Sequence, residues 1–125
     1  MMTTAEPADP KSITHYHAHV YYDPSSTRGR AARLRDRVGE AFPRALLGRW
    51  HDEPVGPHPR AMFQIAFPSA LLTALLPWLM LNRDGLTILV HPETGDDLAD
   101  HTDHAAWLGD MLRLRLGIFR KAAPA

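Results

Sequence analysis

From Ile13 to Asp23 the chain reads ITHYHAHVYYD, and alternate residues belong to two chemically different sets. Successive side chains of an extended chain point to opposite faces. The period therefore predicts a strand with two unlike sides. His15, His17, His19, Tyr21 and Asp23 share one side, while Tyr16, Ala18, Val20 and Tyr22 share the other. The second set suits packing under helices. The first does not, so the strand belongs to a sheet with one face left open to a ligand or a partner chain.

The rest of the chain supplies that sheet. Ala31, Leu34, Val38 and Phe42 recur at helical spacing between Thr27 and Phe42, after a turn at Asp23-Pro24-Ser25-Ser26, and Pro43 ends the helix. A second strand is expected from Ala45 to Asp52 and a third from Arg60 to Phe67, joined by the turn EPVGPHP. Ser69 is placed to cap an apolar helix that runs to about Asn82 and is kinked or divided by Pro77. Leu86 to His91 reads as a fourth strand, and a short helix containing Trp107 follows. Leu112, Leu114, Leu116 and Ile118 alternate with Arg113 and Arg115, which suggests an extended C-terminal segment. The order strand, helix, strand, strand, helix, strand is the α+β ferredoxin-like βαββαβ arrangement, with both helices on one face of an antiparallel sheet. It places the fourth strand beside the first and the second beside the third. Residues 1–12 read as a loose polar tail and residues 13–125 as one domain, the size that 125 residues allow.

Composition narrows the function. Fourteen basic residues balance fourteen acidic ones, which argues against nucleic acid as the main partner. The one run of arginines, Arg28 to Arg37, reads as the solvated face of a helix. There is no cysteine, and hence no disulfide, thiolate site or thiol nucleophile. Ala70 to Leu81 is too short to span a bilayer, and no secretory signal opens the chain, so a cytoplasmic protein is expected. Eight histidines are many for this length, and histidine is the commonest metal ligand.

On the fourth strand His91 shares a face with Leu89 and Thr87, and antiparallel pairing brings it near the start of the first strand. His17, His19 and His91 can then supply three ligands to one ion and leave other positions open. The competing reading is a row of half-exposed strand histidines that only bond their neighbours. His51, Asp52, Glu53 and His58 lie in or beside the proline-stiffened turn, and His58 joins the same site only if that turn folds back over the sheet. His101 and His104 share one side of a short helix.

The strings HYHAHVYYD, GRWHDEPVGPHP and VHPETGDDLADHT, with PWLMLNR between the last two, resemble the DOPA 4,5-dioxygenase-like family of fungi and bacteria. The resemblance extends from Thr14 to about Gly109. It implies a ferredoxin-like fold, non-haem Fe(II) and extradiol cleavage of a catechol such as DOPA or a related phenolic acid by O2. Zinc or another divalent ion can substitute in a purified sample. His17, His19 and His91 are then the expected metal ligands, with His58 or His101 as proton-transfer residue. Arg49, by strand parity with His51, and Tyr21, in the histidine row, are the expected substrate-binding residues. Glu53 and Glu93 are the candidate carboxylate ligands, and Asp23 is a poorer one. The alternative is a non-catalytic small-molecule-binding ferredoxin-like dimer. A homodimer is expected on either reading, because Met111 to Phe119 and the sheet edges offer apolar surface that a small monomer would have to cover.

Overall fold

The computed structural model describes residues 6–122. Its elements are β1 (His15–Tyr21), α1 (Arg28–Ala41), β2 (Leu46–Leu47), β3 (Met62–Pro68), α2 (Leu72–Asn82), β4 (Ile88–Pro92), α3 (Asp97–Asp100), β5 (Ala106–Leu108) and α4 (Gly117–Ala122). The sheet order is β2-β3-β1-β4-β5, antiparallel throughout. The first four strands have the expected ferredoxin-like order, and β5 extends the sheet beyond β4. Among the described residues no helix is long and apolar enough to cross a membrane.

The helices cover the face anticipated from the alternation. Ala18, Val20 and Tyr22 meet Phe63, Ile65 and Phe67 of β3 and Ile88 and Val90 of β4, beneath Ala31, Leu34 and Val38 of α1 and Leu75 and Leu79 of α2. Each of the larger side chains contributes about 1.5–3 kcal/mol by leaving water. An Ile65→Ala change, at a wholly buried position, would cost about 2–5 kcal/mol. Pro77 lies inside α2 and does not divide it. Ser69 begins a 3-10 turn, Ser69–Leu71, without capping the helix through its side chain. The arginines of α1 are less solvated than expected. Arg28 stacks on Trp50 at 4.2 Å and pairs with Asp52, and Arg35 donates to the Gly48 carbonyl at 2.6 Å.

Other differences from the sequence reading have local causes. The second strand is only two residues long. Beyond it Gly48 still donates to the Gln64 carbonyl, and His51 bridges Met62. The chain therefore advances three residues from Gly48 to His51 while its partner moves two, which is a bulge. Gly48 is favoured there, since a Cβ would lie 3.3 Å from the Gln64 carbonyl oxygen. Trp107 lies in β5 and not in a helix. Residues 1–5 of the expected tail lie outside the described residues, and Pro10–Ser12 forms a 3-10 turn.

The second face is only partly open. Tyr21, Met62 and Leu89 form a buried cluster joined by Ala105, Trp107, Leu112 and Leu114. The leucine alternation after Met111 is thus used to lie over the chain's own sheet. Residues 111–116 form no strand, and the segment ends in α4 instead of continuing extended to Phe119. The Arg115 N–H donates to the Pro57 carbonyl at 2.7 Å and so ties this segment to the proline-rich loop.

Candidate metal centre

Strand register assembles the first three histidines. His17 lies directly opposite His91 on β4, and His19 follows on the same face of β1. The proline-rich loop folds back over the sheet, which answers the geometric question its sequence raised. Gly56, at φ 56°, provides the left-handed turn residue, and the His58 N–H donates to the Val55 carbonyl. His58 is consequently buried, 4.2 Å from His19 between ring centroids. His101, the C-cap residue just after α3, lies 4.1 Å from His91 on the same measure. His17, His19 and His91 form one group whose ligand atoms lie within 4.8 Å of one another, and His19, His58 and His101 form a second.

Hydrogen bonds behind the rings orient them. The Nδ1–H of His91 donates to the Pro92 carbonyl at 2.8 Å, and that of His101 to the Asp97 carbonyl at 2.7 Å. Nδ1 of His17 lies 3.0 Å from the Glu93 carboxylate, which can only accept. These three rings therefore carry their free lone pair on Nε2. Such outer partners are characteristic of metal-ligating histidines. Nε2 of His19 and Nε2 of His91 are 3.0 Å apart. Two nitrogens bound to one ion at right angles, each about 2.1 Å away, would be separated by about 3.0 Å.

Two further observations fit a cation. Nδ1 of His19 is buried without any hydrogen-bond partner, and an unsatisfied buried group costs about 1–3 kcal/mol. The rings also resist protonation. Burial holds His19 well below its ordinary pKa, helped by the neighbouring imidazoles. Burial lowers His91 to about 4, against the opposing bond to Pro92. It also lowers His58 to about 4, with repulsion from His101 and His91 adding to the effect. His17 is lowered by burial too, although Glu93 works the other way. His17, His19, His58 and His91 are therefore neutral at pH 7, the state in which imidazole ligates.

The remaining residues named from sequence lie elsewhere or face differently. Tyr21 is 2% exposed, and its hydroxyl meets Nδ1 of His58 at 2.6 Å instead of opening onto free space. Glu93 sits behind His17 and His91, 3.0 and 3.6 Å from their Nδ1 atoms, and not among the grouped ligand atoms. Arg49 falls in the bulge, which breaks the parity argument that linked it to His51, and it is exposed. Glu53 is exposed, as is Asp23, which bonds Ser25. His15 is exposed and bonds Thr14. His101 and His104 part company, because α3 ends at Asp100. His101 turns to the cluster, and His104 meets the Asp100 carboxylate at 3.0 Å. A cleft of about 670 Å³ at the other end of β1, with Tyr21, Tyr22, Asp23, Asp52, Arg60 and Asp110 in its lining, has none of these histidines among its walls.

Sequence reasoning missed two supports. Asp100 is 1% exposed and accepts bonds from the Thr94 N–H, the Thr94 hydroxyl and His104. Burial alone would raise its pKa, but these bonds outweigh it and hold the carboxyl below the usual range. No local pattern marks that role. The second is Phe119 of α4, whose ring lies 4.8 Å from that of His101.

Fold and site together define a small ferredoxin-like α+β protein with a cluster of five histidines able to hold a metal ion. The family model described as the Dopa 4,5-dioxygenase family matches residues 16–118, and the chain belongs to that family. It is 35% identical to an uncharacterized 21.2 kDa protein of Botryotinia fuckeliana, over 93% of this chain and 69% of that one. It is also 35% identical to a DOPA 4,5-dioxygenase of Amanita muscaria, over 83% of this chain but only 49% of the relative. The chain thus spans about half the length of that enzyme. The crystal structure of a candidate dioxygenase from Nostoc punctiforme superposes with a TM-score of 0.90 at 47% identity, covering 94% of this chain and all of that one.

Proposed function

We propose that this protein is a non-haem Fe(II) extradiol dioxygenase that opens the ring of a catechol, such as DOPA or a related phenolic acid, beside its two hydroxyls. Family membership supports the dioxygenase class. The observation that carries the metal reading is the convergence of buried imidazoles, with Nε2 of His19 3.0 Å from Nε2 of His91.

In this reading His17, His19 and His91 hold the ion, and Glu93 and the Pro92 carbonyl fix the rings of His17 and His91 from behind. When bound, the ion acidifies the diol and lets it react with O2 at close quarters. His101 offers an Nε2 lone pair that can accept a hydroxyl proton, since its Nδ1–H is already given to Asp97. His58 can donate from Nε2 toward an oxygen that gains charge. The covering segment, with Leu112 and Leu114 against the sheet and Phe119 against His101, keeps bulk water from one side of the cluster.

The test separates ligands from proton-transfer groups. After anaerobic loading with Fe(II), His17→Ala and His19→Ala should lose stoichiometric iron and catechol-dependent O2 uptake together. His101→Ala should keep its iron and lose about 10²–10⁴-fold in turnover. Full iron content in His17→Ala or His19→Ala would remove that residue from the ligand set.

A further inference from the structure

Two overlapping groups of three histidines share His19, and spacing alone does not say which of them takes an ion. The hydrogen bonds do discriminate. His17, His91 and His101 each face a carboxylate or a carbonyl with Nδ1, so their Nε2 atoms are lone pairs. His58 differs, because its Nδ1 faces a hydroxyl, which can either give or take a proton.

Burial settles the direction. Tyr21 is 2% exposed, and the contact with His58 is the one hydrogen bond its hydroxyl makes among the described residues. If Nδ1–H of His58 were the donor, the phenolic O–H would be left buried without an acceptor, at a cost of about 1–3 kcal/mol. The O–H therefore donates to Nδ1, and the ring's own proton sits on Nε2.

We propose that Tyr21 is a positioning residue that keeps His58 out of the ligand set. By donating to Nδ1 it holds the proton on Nε2, so His58 meets the cluster as a hydrogen-bond donor while His17, His91 and His101 meet it with lone pairs. This rests on the reading that His17, His19 and His91 hold the ion. The second group, His19, His58 and His101, is then one lone pair short for as long as Tyr21 keeps its hydroxyl. Removing one oxygen atom should complete it.

Two measurements test this on the full chain. The first is ring ¹⁵N NMR of the metal-free protein at neutral pH. His58 should be protonated at Nε2 in the wild type, and Tyr21→Phe should shift its population toward the Nδ1–H form. This readout does not depend on iron or on ring cleavage, so it stands even if the proposed activity fails. The second measurement uses Co(II) as the probe. His17→Ala alone should bind Co(II) at least 100-fold more weakly than the wild type. Adding Tyr21→Phe to it should recover at least tenfold, as His58 joins His19 and His101. The proposal is overturned by wild-type His58 protonated at Nδ1 or by a tautomer unmoved in Tyr21→Phe. It is equally overturned by a double variant that binds Co(II) no better than His17→Ala, or by His17→Ala binding it as tightly as the wild type.

Discussion

Acid should destabilise the metal-free protein well above the range in which ordinary carboxylates titrate. His58 and His91 are 4% and 1% exposed, and burial lowers each to a pKa of about 4 from an unfolded value of about 6.5. Above pH 6.5 both states carry neutral rings, and the shift has no effect. Between pH 6.5 and 4 the unfolded chain takes up protons that the folded chain refuses, so stability falls as the pH falls. At pH 5 the loss is about 2 kcal/mol for each ring taken alone. Part of the His58 shift is repulsion from neighbouring imidazoles, including His91, so the two together should cost nearer 3 kcal/mol. That is a large fraction of the 5–15 kcal/mol typical of a domain. Urea unfolding of the metal-free protein, followed by tryptophan fluorescence, should show the midpoint dropping by about 1–3 M between pH 7.5 and pH 5. His58→Gln, which still accepts a bond from Tyr21, should show a smaller drop than the wild type. A midpoint that stays level or rises over this range would refute the reasoning, since it would mean that the rings are not desolvated.

Other expectations follow from the supports around the site. Glu93→Gln should weaken Co(II) binding about 10–100-fold by calorimetry with the fold intact, and unchanged affinity would remove its orienting role. Asp100→Ala removes the charge-assisted bonds to the Thr94 N–H and hydroxyl and should cost about 1.5–3 kcal/mol in urea unfolding, whereas a loss under about 0.5 kcal/mol would contradict their stabilising role. We propose self-association as a homodimer through surface that includes Leu46, Leu81 and Met111, which are 71%, 85% and 78% exposed. Light scattering at micromolar concentration should report twice the chain mass, and a monomer with no concentration dependence would count against it.

Much of the fold was legible because each signal was local. The β1 alternation was unambiguous since its two faces differ in chemistry, and the spacing of Ala31, Leu34 and Val38 gave the buried stripe of α1. From these followed the strand order and the meeting of His17 with His91. What escaped was decided by contacts distant in sequence. The bulge before His51 depends on Gly48 meeting Gln64 across two strands, and a parity argument has no means of registering the extra residue. The leucine alternation after Met111 was real, but Leu112 and Leu114 pack against the chain's own sheet. β5 has only three residues, too few for a periodic signal. The fold-back of the loop carrying His58 depends in part on the Arg115 bond to Pro57, far along the chain. Glu93 could have been placed better, since it follows His91 by two residues and the backbone pairing continues to it.

On the proposed function, the histidine cluster holds an Fe(II) ion that supports dioxygenation of a catechol. The most direct test is a single-turnover reaction of the anaerobically iron-loaded protein with DOPA and ¹⁸O2, read by mass spectrometry of the ring-opened product. The expected result is one iron per chain, one O2 consumed per ring cleaved and both labelled atoms incorporated into the product before exchange with water. An iron-loaded protein that binds catechol but consumes no O2, or a product carrying fewer than two labelled atoms after correction for exchange, would contradict it.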